Sequence, residues 1–213
     1  NSYIVAQRVE ERVIRGVFIE QIMEELELEL DVELVTAVYN EFVDQYQTEA
    51  HLIESVDRQF GWSVDQFMEY IVLPLARTRA LDVAVSNWSE VQSQPRGIIQ
   101  DIHAKVFNDP DIFAEIASEV STSLSASDGG ELGLRALDEY PPEARVILLS
   151  LDDGELSPII DLDERFVIYQ LIEKRERESG DLVNARGIAI DKKDVYDVID
   201  ERMLTAEIER YLQ

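Results

Sequence analysis

The sequence predicts an α+β fold, with a helical first half followed by a small antiparallel sheet flanked by helices. Three observations carry that reading. Apolar residues recur at helical spacing through most of residues 4–85. A cluster of Ser, Gln and Pro at 89–96 then breaks the pattern and marks the boundary. Beyond it, short runs rich in Val, Ile and aromatic residues alternate with helical stretches and with Gly and Pro turns.

The elements follow in chain order. Val9, Val13, Val17, Phe18 and Ile22 mark one long amphipathic helix over residues 4–23. Leu26, Leu28, Leu30, Val32 and Leu34 alternate with acids, a pattern that read alone suggests a strand. The preferred reading is a short extended break and a new helix capped by Asp31, with Leu34, Val35, Val38 and Phe42 on its apolar face. A third helix is expected at 49–60, stopping at Gly61. Ser63 caps a fourth, which turns Phe67, Ile71, Leu75, Leu81 and Val85 inward and is kinked by Pro74. After the boundary come helices at about 97–107 and 111–120, the second behind an Asn-Asp-Pro turn. A Ser-rich loop at 121–128 and Gly129-Gly130 lead into a short strand or turn at 131–134. Pro141-Pro142 opens a helix to residue 150. Strands are expected at 156–161, 165–174 and 183–190, with turns at 153–154 and 179–181. A last helix at 195–212 presents Val195, Val198, Ile199, Met203, Ile208 and Leu212.

Composition narrows the function. With 213 residues, 46% of them hydrophobic, the chain suits one or two folded domains. No apolar run approaches the roughly 18–20 residues of a membrane helix, so no membrane insertion is expected. Residues 1–10 mix charged and apolar types; no leader is visible, and the abrupt start suggests that a leader or anchor has been trimmed. The absence of cysteine excludes disulfides, thiolate catalysis and cysteine metal sites. A net charge of −26 repels nucleic acid and anionic membrane, so neither is an expected partner. Such a surface keeps adhesive client chains soluble; equally, with only four lysines among 19 basic residues, it suits high salt. His51 and His103 fall on predicted helices in different halves, where a lone histidine is usually solvated or hydrogen-bonded. Asp152-Asp153 and Asp161/Asp163 lack the spaced oxygens of a cation loop and read as solvated turns. There is no phosphate loop, zinc motif or Ser–His–Asp order, so no metal and no cofactor is expected.

Four segments carry a resemblance. FAEIASEVS at 113–121, GGELG at 129–133, LDDGELSP at 151–158 and FVIYQLIEK at 166–174 stand in this order. They resemble the parvulin-type (PpiC) peptidyl-prolyl isomerases, whose pattern reads dFaelA…yS, GGdLG, l..GeiS.pv and GyHIIkl.ek. Residues 12–30 and 67–81 are similar to helices of the SurA-type chaperone module. The chain as a whole thus resembles the SurA/PrsA-like chaperones.

The resemblance implies a helical chaperone-like module over 1–93, with the C-terminal helix at 194–213 packing back on it, and a parvulin-like domain over 94–193. A parvulin domain opens with a strand reading arHIL, and no such strand precedes Gly97. ARGIAI at 185–190 follows the last family strand instead. In the parvulin sheet the opening strand lies antiparallel beside the closing one. A hairpin through 179–181 would join the two, so the resemblance implies a circular permutation with the first strand moved to about 183–190. The alternative is an unrelated edge strand.

Proline isomerisation needs a pocket that favours the twisted amide over the planar one. The family supplies two facing histidines, a Cys or Asp, a hydroxyl and an apolar proline pocket. Carried onto this chain, the histidine positions fall on Gly187 and Val167, the Cys/Asp position near Ser123 and the hydroxyl near Leu162. The substrate-binding positions fall near Arg135, Tyr140 and Ala144, with Val167 beside them. Gly187 and Val167 have no side-chain donor or acceptor, and Val167 reads equally as a core strand residue. The resemblance therefore implies an extracytoplasmic folding chaperone, periplasmic or on the cell surface. It would bind unfolded or proline-containing polypeptides in an apolar cleft between its two halves, with weak or no isomerase activity. The alternatives are an active isomerase using a different residue set, and a non-catalytic structural or interaction module.

Overall fold

The computed structural model describes residues 2–175, 177 and 180–206. Helix α1 (Ser2–Glu25) ends where Glu27 enters the left-handed region at φ 49° and the Leu28 N–H returns to the Met23 carbonyl. The alternating stretch that follows forms no strand. It is an extended break up to Asp31, whose carboxylate accepts the Glu33 N–H and starts α2 (Val32–Gln45). Leu30 and Leu34 are drawn into the helical core, which outweighs their period-two pattern. Thr48 caps α3 (Glu49–Phe60), and Gly61 closes it at φ 69°.

A reciprocal Ser63–Gln66 capping box opens α4 (Val64–Phe67). The chain then widens into one π turn, Met68–Val72, before α5 (Leu73–Ser86). Pro74 lies in the first turn of α5, so the expected kink takes the form of a π turn just upstream, where the missing proline N–H is absorbed.

Helix α6 (Ser93–Asn108) starts earlier than the sequence suggests. Pro95 sits in its first turn, where a missing N–H leaves no bond unmade, so part of the Ser/Gln/Pro stretch begins a helix. A 3₁₀ turn, Pro110–Ile112, precedes α7 (Phe113–Val120). Then come β1 (Glu131–Ala136), α8 (Pro142–Ser150), β2 (Ile160–Asp161), β3 (Arg165–Arg175) and β4 (Leu182–Asp191). The strand expected at 156–161 is mostly absent: only Ile160–Asp161 and an isolated Leu156–Gln170 bridge pair with β3. Pro158 has no N–H to give a ladder. Ser157 substitutes for it, its Oγ accepting the Tyr169 N–H at 2.8 Å and its N–H donating to the Tyr169 carbonyl at 2.7 Å. Helix α9 (Val195–Thr205), opened by an Asp194–Asp197 capping box, follows the sheet; Ile208 and Leu212 lie outside the described residues.

The chain divides into two compact units: Asn1–Asn87 with Asp194–Gln213, and Trp88–Lys193. In the first, Val38, Leu52, Val56, Phe67, Val72 and Ala76 form the core, with Phe42 edge-on to Phe67 at 5.3 Å. α9 is tied into this unit by Asp82, which accepts the Val195 N–H, and by an Arg202–Glu25 ion pair of 2.6 Å.

The second unit is built on an antiparallel sheet of order β1-β4-β3-β2, giving the α+β architecture that the sequence predicts. β3 and β4 pair along their length, with Val167 opposite Ala189 and Tyr169 opposite Gly187. Of the turn expected between them at 179–181, Ser179 lies outside the described residues. Alternation sends Phe166, Ile168, Ile188 and Ile190 to one face, against Ile99, Ile102 and Val106 of α6 and Phe113 and Ala117 of α7. Val167, Tyr169, Leu171, Ala185 and Ala189 take the other face, with Tyr140 and with Ala144 and Leu148 of α8. Helices on both faces explain why these strands read as nearly unbroken apolar runs.

Candidate functional site

The α8 face of the sheet is not fully covered, and a cavity of about 640 Å³ opens there within the Trp88–Lys193 unit. Its floor is Val167 and Tyr169 of β3, Gly187 and Ala189 of β4, and Leu132 of β1. Its walls are Ser123 and Ser125 of the Ser-rich loop, Pro141 to Glu143 at the start of α8, and the Leu162–Arg165 turn.

Close packing dictates the floor. A Cβ on Gly187 would stand 3.2 Å from Cε1 of Tyr169 and 3.6 Å from a Leu132 methyl. The ring of Tyr169 thus lies across the space that a side chain at 187 would need. Gly130 is held more tightly: at φ +80° its Cβ would come 2.5 Å from the Gly187 carbonyl oxygen. That approach lets the Gly187 N–H donate to the Gly130 carbonyl at 2.8 Å, fixing β1 and the loop before it onto β4.

The serine wall is a chain of hydroxyls. Ser121 Oγ accepts the N–H groups of Ala189 at 3.0 Å and Ser123 at 3.3 Å. With both lone pairs occupied, its proton points to Ser123 Oγ, 3.0 Å away, and Ser123 Oγ shares a further hydrogen bond with Ser125 Oγ at 3.0 Å, in which either hydroxyl can donate. Thr122 fastens the same loop, its N–H and hydroxyl both donating to the Ala189 carbonyl.

Two buried tyrosines stand at the floor, edge to face at 5.8 Å. Tyr140 donates its hydroxyl to the Val183 carbonyl, and burial pushes its phenol up to about 12. Burial also raises the Tyr169 phenol, against the pull of the Arg135 and Arg165 charges. Tyr169 therefore keeps its proton and is a donor at neutral pH; among the described residues its hydroxyl makes no hydrogen bond.

Four of the expected positions come together here: Gly187, Val167, Ser123 and Leu162 all line the cavity. Arg135, Tyr140 and Ala144 do not line it. Arg135 is turned onto the Leu132 carbonyl and lies 5.7 Å over the Tyr140 ring. Tyr140 and Ala144 are buried in the core beside the floor, where their apolar surface gains more than it would at a wet wall. His51, in the other unit, has Nδ1 3.3 Å from the Tyr46 carbonyl. His103 has Nε2 3.0 Å from the Ser157 carbonyl and stacks on Phe107. Neither lines the cavity.

Asp161 is held by Arg96 and Lys192, both of which also sit over the Phe166 ring. Burial pushes its carboxyl up, but the hydrogen bonds from Lys192 and Arg96 prevail and hold it below the usual range. Among the described residues no three His, Asp or Glu side chains are grouped to hold a metal. Tyr169, Ser125 and Glu143 are among the lining residues that sequence reasoning missed. Tyr169 was within reach, two residues beyond Val167 on the same strand face; the Ser-x-Ser-x-Ser spacing at 121–125 was the only hint of the hydroxyl chain.

Residues 84–173 match the sequence pattern of the rotamase family described as the PPIC-type PPIASE domain. The match stops before β4. The chain is also similar to proteins named Chaperone SurA: 30% identical over 100 residues in Pseudomonas syringae pv. tomato, covering 45% of this chain and 23% of that protein. In Pseudomonas putida the figures are 30% over 113 residues, 52% and 26%. In Yersinia pestis bv. Antiqua they are 29% over 121 residues, 56% and 26%. The chain spans about a quarter of the length of these relatives. Residues 84–173 are thus a region similar to the PPIC-type prolyl isomerase domain, in a chain distantly similar to SurA chaperones.

Proposed function

We propose that this chain is a folding factor that holds proline-containing segments of unfolded polypeptides in the β3–β4 cavity, with weak or no isomerase activity. The observation that carries the reading is the floor itself: an apolar surface of Val167, Tyr169, Gly187 and Ala189, open to a peptide and bearing no imidazole. Apolar concave surface binds unfolded chains with loose sequence preference. In this reading β4 serves as the opening strand of a permuted parvulin-like sheet, with Gly187 and Val167 at the family's histidine positions. Its antiparallel pairing with β3, and a family match that ends before it, support the permutation. The similarity to SurA chaperones supports the chaperone role and a location outside the cytoplasm. The domains we assign are residues 1–93 with 194–213, and 94–193, whose first boundary lies six residues beyond the 87/88 division of the compact units.

A second reading has its own observation. The hydroxyls of Ser123, Ser125 and Tyr169 line the cavity, a polar set different from the family's, on which an active isomerase would be built. Exchange spectroscopy on a short X–Pro peptide, run beside suppression of aggregation of a reduced, unfolded protein, separates the readings. Suppression with an unaltered exchange rate is the expected result. Rapid turnover of the peptide would favour the second reading, and inactivity in both assays would reduce the chain to a structural module.

A further inference from the structure

The cavity's rim is acidic. Glu143, Asp163 and Glu164 line it, while the one lining cation among the described residues, Arg165, is ion-paired to Asp191 at 3.4 Å. Among the described residues the carboxylates of Glu143 and Glu164 have no ion-pair partner. A second feature points independently to a ligand. Tyr169 is 6% exposed, lines the cavity and has a hydroxyl that bonds to nothing among the described residues. The side chain is buried, but its hydroxyl is not among the sealed polar atoms and reaches the cavity, where a carbonyl entering from a bound chain can accept its proton.

We infer that the cavity selects X–Pro segments flanked by lysine or arginine: the prolyl ring lies on the apolar floor, a peptide carbonyl accepts from Tyr169, and the cation meets Glu143 and Glu164. This rests on the peptide-binding reading above and adds the substrate class. Exposed pairs of this kind are individually weak, so two carboxylates give a preference of about three- to ten-fold, not an absolute one. The overall charge of −26 attracts any cation, so the local contribution has to be separated from the global one.

The test measures the affinities of three fluorescent peptides, Ala-X-Pro-Phe-Ala with X as Lys, Gln or Glu, for the full chain at 20 mM and 500 mM NaCl. The expected order is Lys, Gln, Glu, with the Lys/Glu ratio falling towards one at high salt. Glu143→Gln/Glu164→Gln should lower the Lys/Glu ratio at least three-fold. Glu115→Gln/Glu119→Gln, which removes the same charge from the exposed side of α7, should leave the ratio intact. Tyr169→Phe should weaken all three peptides alike. Equal binding of all three overturns the inference and leaves the peptide-binding reading standing. A ratio equally sensitive to both double variants assigns the preference to net charge and also overturns it. Failure of every peptide to bind overturns the peptide-binding reading as well.

Discussion

At the scale of single residues, the site depends on two glycines for different reasons. Gly130 cannot carry a Cβ, because at φ +80° that atom would enter the Gly187 carbonyl. Gly130→Ala should cost about 3 kcal/mol or more, measured by urea denaturation. Gly133→Ala is the control: φ is +71°, but nothing lies within 4 Å, so only the left-handed backbone penalty of about 1 kcal/mol is expected. The buried phenols give a pH signature. An unfolded tyrosine ionises near 10, whereas Tyr140 keeps its proton to about 12. Between those values the unfolded chain binds fewer protons than the folded one, so stability falls as pH rises, by about 1.4 kcal/mol per pH unit for each such group. Denaturation at pH 9 and pH 11 should show that loss, and Tyr140→Phe should reduce it. Residues of this kind were unevenly legible. GGELG announced its turn, and the position of Gly187 opposite a large ring needed only the register. The burial of Tyr140 and Ala144 was not legible, because sequence does not say which side of α8 closes on the sheet.

At the scale of elements, the sequence placed nearly every helix, because caps such as Asp31, Thr48 and Ser63 satisfy the first N–H groups whatever the tertiary context. It misjudged elements where proline acts in context. Pro158 shortened a strand, Pro95 lay inside a helix start, and Pro74 was accommodated by a π turn. The ends of the second unit bear on the permutation. Gln92 donates from Nε2 to the Lys193 carbonyl at 2.8 Å and accepts the Lys193 N–H at 3.0 Å, so β4 ends where α6 is about to begin. We therefore predict that a rearranged domain, with residues 182–193 joined through a short linker to residue 92 and the chain ended at 175, folds with the same amide spectrum for the sheet. Loss of a dispersed spectrum would count against the permuted reading. Asp161 links β2 to Arg96 of α6 and to Lys192. Because its carboxyl is held low, the stabilisation is present above the ordinary carboxylate range and is lost as pH falls through its lowered value. Asp161→Asn should reduce the acid sensitivity of the unit's melting temperature.

At the scale of the whole molecule, 45 acidic residues against 19 basic ones repel one another in the folded state. Screening relieves that repulsion, so the melting temperature should rise by several degrees between 20 mM and 1 M NaCl, whichever origin the acidity has. The charge was fully legible in the sequence; the cavity was not, because it exists only once β4 has paired with β3 and the Ser-rich loop has been fastened to Ala189. The most direct test of the central claim is a titration of the isotopically labelled chain with a short Lys-Pro peptide, followed by backbone amide shifts. Saturable shifts are predicted at Ser123, Ser125, Val167, Tyr169 and Gly187, with the peptide's own cis–trans exchange rate unchanged. Shifts confined to other residues, or exchange accelerated by orders of magnitude, would contradict it.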